Sequence, residues 1–217
     1  MNVGVLGTGV VGRTLATKLV SLGHVVVMGS RTSDNAAAQS WATENGLERT
    51  SYGTFADAAT HGELLINATA GSASLAALEA AGKENLHGKV LIDVANPLDF
   101  SQGMPPSLLV ANTDSLGEQI QRAHPDVKVV KTLNTMNTIL QADPRKVPGS
   151  HNVFVSGDDA DAKDQVRELL QSFGWPAADI IDLGDITSAR GAEMLLLLWV
   201  QIMGVLGTAQ FNFKIAR

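Results

Sequence analysis

The string GTGVVG, residues 7–12, narrows the fold more than any other feature of the chain. It follows an apolar run, VGVLG (residues 3–7), and opens a segment that sets Val11, Leu15, Leu19 and Leu22 on one helical face. A strand feeding a glycine-rich turn and then a helix is the setting in which this spacing holds a pyrophosphate. Gly7 permits the tight turn, Gly9 lets the backbone approach the phosphates, and Gly12 lets the helix pack on the strand. The N–H groups at the start of the helix then face the phosphate charge. A purely structural glycine turn is the alternative, and the flanking strand and helix weigh against it.

The strand–helix alternation continues. HVVVM (24–28), LLINA (64–68), KVLIDVA (89–95) and residues 127–133 are apolar runs without polar alternation, the mark of strands buried on both faces. Residues 33–45 and 74–81 have helical patterns, and a weak strand falls near Ser51 and Tyr52. Right-handed crossovers between such strands give an α/β, doubly wound, Rossmann-type parallel sheet. Beyond residue 134 the pattern predicts a strand at 152–156, an amphipathic helix at 160–173, a strand at 179–182 and an apolar helix ending near residue 206. We expect residues 1–134 to form the nucleotide-binding domain and 135–217 a small C-terminal α+β extension on its substrate side.

Composition removes several classes of function. A net charge of −6 with no local Lys/Arg cluster argues against nucleic acid. The absence of cysteine excludes disulfides, thiolate metal sites and thiol catalysis. No zinc-type ligand cluster is present, so no metal is expected. The apolar stretch at 195–206 contains Gln201 and falls short of the roughly 20 residues a bilayer needs. It reads as a buried or subunit-interface helix, so no membrane association is expected and a homodimer is. Without a signal-peptide pattern at the start, the expected compartment is the cytoplasm.

The end of the second strand selects the dinucleotide. An NAD site places Asp or Glu there for the ribose 2′-hydroxyl. This chain has GSRTS, residues 29–33, with no carboxylate before Asp34. Ser30 can donate a hydrogen bond and Arg31 can offer a planar fork to a 2′-phosphate, so the expected cofactor is NADP(H). Three further segments sit where strands end: Ala68, Thr69 and Ala70, then Asn96 and Pro97, then Asn134 or Asn137. They are candidates for the ribose and nicotinamide, although these residue types also form turns for local reasons. Acid–base machinery is sparse. The five histidines, His24, His61, His87, His124 and His151, read as lone surface residues, and Arg190 with Glu193 reads as an intrahelical pair or a pocket lining. No catalytic side chain is expected.

Together these segments resemble the NADPH-dependent coenzyme F420 reductase family, the F420:NADP oxidoreductases. The resemblance runs through GTGVVGRTLATKL, GHVVVMGSR, LIDVANPLD, VVKTLNT and the closing DLGDITSARGAEMLLLLWVQIMGVLGTAQFNFKI. It extends to the nucleotide domain of the six-transmembrane epithelial antigen metalloreductases. It implies hydride transfer between NADPH and a deazaflavin, coenzyme F420, as a small-molecule redox acceptor, with the protein mainly positioning two rings. By position, Thr8, Gly9, Val10, Val11, Ser30 and Arg31 match the family's NADP contacts. The chain departs in having no lysine among residues 32–38 and in VVKTLNT where VVKAFNT is commoner. Alternatives are a small NADP reductase of a flavin, quinone, ferric or imine substrate, and a non-catalytic NADP(H) sensor.

Overall fold

The computed structural model describes residues 1–216. In chain order its elements are β1 (Asn2–Leu6), α1 (Val10–Ser21), β2 (Val25–Ser30), α2 (Ala36–Asn45), β3 (Thr50–Thr54), α3 (Phe55–His61), β4 (Leu64–Asn67), α4 (Ser74–Ala81), α5 (Lys83–Leu86), β5 (Val90–Asp93), β6 (Leu98–Asp99), β7 (Ser107–Leu108), α6 (Leu116–Ala123), β8 (Lys128–Thr132), α7 (Thr138–Ala142), β9 (Val153–Ser156), α8 (Ala160–Phe173), β10 (Ile180–Asp182) and α9 (Ala189–Leu206). Eight strands form one sheet in the order β10-β9-β8-β5-β4-β1-β2-β3, and β6 with β7 makes a separate two-stranded ribbon.

Strand alternation builds two cores. In β1, Val3 and Val5 face one cluster and Leu6 the other; in β4, Leu64 and Ile66 oppose Leu65; in β8, Val130 opposes Val129. Leu15, Trp41, Val166 and Phe173 cover the first face, while Phe55, Leu78, Leu116 and Ile120 cover the second. Burial on both faces is why these strands carry no polar alternation. The chain leaves β1 toward β2 and β3 on one side, and returns to β4, β5 and β8 on the other. This reversal between β1 and β4 opens the crevice at the carboxyl ends of the strands.

Several boundaries differ from the sequence expectation, each for a local reason. The second helix begins at Ala36 because Asn35 caps it, accepting from the Ala38 N–H at 3.0 Å. Ala68, Ala95 and Leu133 lie in turns beyond the strands. Helix α6 was not anticipated, though Ser115 and Glu118 give the S-x-x-E spacing of a capping box and bond each other at 2.8 Å. The sheet is also not wholly parallel: β9 pairs antiparallel with β8, Thr132 opposite Val155. That reversal carries the start of β9 to the crevice end, where Asn152 N–H donates to the Phe213 carbonyl at 2.8 Å and ties down the C-terminal tail. Helix α9 buries Leu196 and Trp199, the latter stacked on Phe211 at 5.2 Å, and exposes Leu198, Val205 and Leu206.

Candidate dinucleotide site

The crevice holds a cavity of about 470 Å³. Three glycines shape it in different ways. Gly7 has φ +121°, and a Cβ there would lie 2.5 Å from the Ala68 carbonyl oxygen. A Cβ on Gly12 would lie 2.1 Å from the Gly7 carbonyl oxygen, so α1 can sit on the loop only with glycine at that position. A Cβ on Gly9 would meet no atom within 4 Å, because it would project into open space at the head of α1. Helix α1 has no side-chain cap and no acidic residue in its first turn, so its leading N–H groups remain available to an anion.

The site residues predicted from sequence fall into two groups. Gly7, Thr8, Gly9, Ser30, Arg31, Ala68, Thr69 and Ala70 all line the cavity. Val10, Val11, Gly12, Asn96, Pro97 and Asn134 do not. Val10 is exposed, Val11 packs against the core and Gly12 is buried under the loop. Ser30 corrects one expectation: its hydroxyl is buried and donates to the Thr32 carbonyl at 2.5 Å, leaving the oxygen only as an acceptor. Arg31 is exposed and pairs with no protein group among the described residues. The sequence reading missed Phe55 and the alanines Ala73, Ala76, Ala77 and Ala80, which also line the cavity. Their i, i+3, i+4, i+7 spacing was the available signal, a helical face stripped of bulk.

Beside this cavity, the turns after β5 and β8 interlock. Asn96 Nδ2 donates to the Asn134 carbonyl at 2.9 Å, and Asn134 Nδ2 donates to Asn96 Oδ1 at 3.0 Å. The Asn134 Oδ1 atom has no protein partner among the described residues. Asn137 instead caps α7, accepting from Ile139 N–H at 2.9 Å. Leu133 adopts φ +61°, a conformation costly for a bulky residue that the surrounding structure imposes just ahead of Asn134. The cavity's backbone edge joins these turns, since a Cβ on Gly71 would collide with the Asn96 carbonyl at 2.1 Å.

Ionic pairing departs from expectation. Arg190 and Glu193 do not pair with each other. Arg190 Nε donates to Glu118 at 2.8 Å, while Glu193 lies 2.8 Å from Lys131. Lys131 is fully buried, also pairs with Asp93 at 2.9 Å, and donates to the Ala95 carbonyl. Burial alone would depress the Lys131 ammonium, but the two carboxylates outweigh it and raise its pKa. The Arg190 guanidinium holds the Glu118 carboxyl below its ordinary range against the opposing effect of burial. Two histidines expected at the surface are buried, His124 and His151. Burial lowers the His124 pKa, and His151 is held between the Pro144 carbonyl and Asn212, each at 2.9 Å. Among the described residues, Arg31 is the one ionisable side chain lining the cavity, and no cluster of three His, Asp or Glu could hold a metal ion.

Comparison with known proteins agrees with this geometry. Residues 2–97 match the family model described as NADP oxidoreductase, coenzyme F420-dependent. A crystal structure of a candidate F420-dependent NADP reductase from Arthrobacter sp. FB24 is 57% identical, with full coverage of both chains and a TM-score of 0.94. The F420-dependent NADP reductase of Methanothermobacter marburgensis is 29% identical over 93% of this chain and 92% of its own length. Metalloreductase STEAP3 of Rattus norvegicus is 30% identical over 90% of this chain, which spans 36% of that protein's length. The chain belongs to the coenzyme F420-dependent NADP oxidoreductase family, and with it to the NADP(H)-dependent oxidoreductases.

Proposed function

We propose that this protein transfers hydride between NADP(H) and a deazaflavin, coenzyme F420, or an acceptor of closely similar flat-ring chemistry. The observation that carries this reading is a cavity whose single ionisable lining residue, among the described residues, is Arg31. Such a site recognises phosphate by charge and offers no acid or base, which suits a reaction that moves hydride without side-chain proton transfer. Gly7, Thr8, Gly9, Val10, Val11 and Gly12 supply the turn and helix N–H groups for the pyrophosphate. Arg31 takes the 2′-phosphate, assisted by Ser30 through the loop it braces. Ala68, Thr69 and Ala70 give a small-residue surface for the ribose, and Asn96, Pro97 and Asn134 stand at the nicotinamide end. Bound nicotinamide supplies the carbon that donates or accepts hydride.

Residues 1–134 act in this reading as the nucleotide domain, and 135–217 as the part facing the acceptor. The exposed stripe of α9 through Leu198 and Val205 is the surface we assign to a homodimer in the cytoplasm. Leu198→Asp should convert a dimer to monomer by light scattering without changing NADPH affinity, whereas a wild-type monomer at micromolar concentration refutes the dimer. Similarity to a metalloreductase favours a second reading, in which a ferric chelate or a flavin is the acceptor. NADPH oxidation followed with F420, FMN, FAD, a quinone, an imine and ferric citrate separates them. Turnover fastest with F420 supports the first reading, a faster ferric, quinone, imine or flavin reaction the second. Tight NADPH binding with no turnover in any arm makes the protein a sensor and overturns both.

A further inference from the structure

We propose that Lys131 is a positioning residue for the nicotinamide end, acting through the Ala95 carbonyl and tying that end to α9 through Glu193. This rests on the reading above, which puts the nicotinamide against the turns after β5 and β8. Lys131 Nζ has three protons and three acceptors: Asp93 on β5, Glu193 on α9 and the Ala95 carbonyl. With every proton engaged inside the fold, it has none to exchange with a ligand, so its role is geometric. The carbonyl it holds immediately precedes Asn96, which is locked to Asn134 by two reciprocal bonds. Pulling on Ala95 therefore moves the turns after both strands together.

Polar contacts continue on both sides of the lysine. Asp93 accepts from Asn67 Nδ2 at 2.9 Å, and the Asn67 Oδ1 accepts from the Thr69 hydroxyl at 2.7 Å, at the cavity wall. Glu193 accepts from the Leu116 and Gly117 N–H groups at 2.9 and 3.0 Å, which compensate the second buried carboxylate. A continuous buried chain thus joins the cavity lining to the C-terminal helix. Its charges sum to −1 before the α6 N–H groups are counted, an arrangement too costly to bury for packing alone when apolar residues of like volume would serve.

The test uses the full chain with NADPH as probe. Lys131→Met strands two buried carboxylates, so it is paired with the triple variant Asp93→Asn/Lys131→Met/Glu193→Gln, which leaves no buried charge, and with Glu193→Gln alone. In a variant that keeps its circular dichroism and melts cooperatively, calorimetric NADPH affinity should stay within about threefold, because the charged contacts lie at the other end of the dinucleotide. The emission of the bound reduced nicotinamide should shift, and single-turnover hydride transfer to F420 should fall about 10- to 100-fold, the scale of a small misplacement. A folded variant with native emission and rate overturns the proposal. So does affinity falling in step with rate, which would mark general support of the fold, and so does failure of all three variants to fold. If the wild type reduces no acceptor, the proposed function fails on its own, and nicotinamide emission still decides the positioning role.

Discussion

The two ends of the crevice solve opposite problems. At the glycine loop, the structure removes side chains and leaves charge unpaired: Gly9 faces open space, α1 begins without a cap, and Arg31 has no protein partner among the described residues. At the turns after β5 and β8, most strong polar groups are paired within the protein, from the Asn96–Asn134 exchange to the Lys131 network, and Asn134 Oδ1 is left as an acceptor. The first end is an incomplete site awaiting an anion. The second is a finished scaffold that presents a fixed surface. Affinity should therefore reside at the first end and geometry at the second, and mutations should separate the two.

The largest expected effect is at Gly9. Its backbone is extended, φ −71° and ψ −179°, a conformation valine accepts, and a Cβ there has room. Gly9→Val should fold normally and lose NADPH binding by more than about 100-fold, since the side chain takes the space of the pyrophosphate. Gly12→Ala makes the contrast, because its Cβ must clear a carbonyl 2.1 Å away and so should lower stability first. Circular dichroism with calorimetry reads both. Normal NADPH affinity in a folded Gly9→Val variant would remove the loop from the site.

Arg31→Ala comes next. A charge-assisted bond contributes about 1.5–3 kcal/mol, so NADPH affinity should fall about 10- to 100-fold while NADH affinity barely changes. Equal losses for both dinucleotides would sink the 2′-phosphate assignment and leave Arg31 a solvated loop residue.

At the other end the same kind of change should act on stability instead. Asn96→Ala removes two hydrogen bonds between the turns, worth about 1–3 kcal/mol together. Thermal denaturation should show the midpoint falling by about 2–12 °C, with NADPH affinity unchanged. Affinity lost as strongly as in Arg31→Ala would erase the division of labour between the two ends.

The same contrast explains what was legible in the sequence. Gly7 to Gly12 and Ser30 with Arg31 are each contiguous, so their chemistry is written in local strings whose meaning depends only on an adjacent strand and helix. The second end is assembled from distant residues: Lys131 meets Asp93 across 38 positions, and Leu116 meets Glu193 across 77. No spacing rule reveals such partners, and Arg190 with Glu193 three apart on α9 suggested a pairing that tertiary contacts overrode. The strand at β9 was legible but its antiparallel direction was not, since a run of four residues, VFVS, has no intrinsic direction. Helix α6 could have been found from Ser115 and Glu118. Its mean composition hid it, because four of its eight residues, Glu118, Gln119, Gln121 and Arg122, are charged or amide groups.

The smallest expected effect sharpens the comparison at the edge of the network, where Arg190 reaches Glu118. Arg190 lowers the Glu118 pKa in the folded state relative to the unfolded chain. A depressed carboxylate pKa means the folded state prefers the ionised form, so its contribution is fully present above the unfolded value near about 4.3. That contribution is lost as pH falls through the folded pKa. Because the arginine is partly exposed, the pair should contribute about 1 kcal/mol or less. Urea unfolding of Glu118→Gln against wild type should then show a gap in stability that is widest near pH 7 and closes below about pH 4. NADPH affinity should be the same in both proteins at pH 7, since this pair touches neither the glycine loop nor Arg31. A gap that stays constant from pH 7 to 3 would mean the carboxylate's charge contributes nothing. The Arg190–Glu118 contact would then be a packing interaction, and the ionic scaffold would end at Glu193.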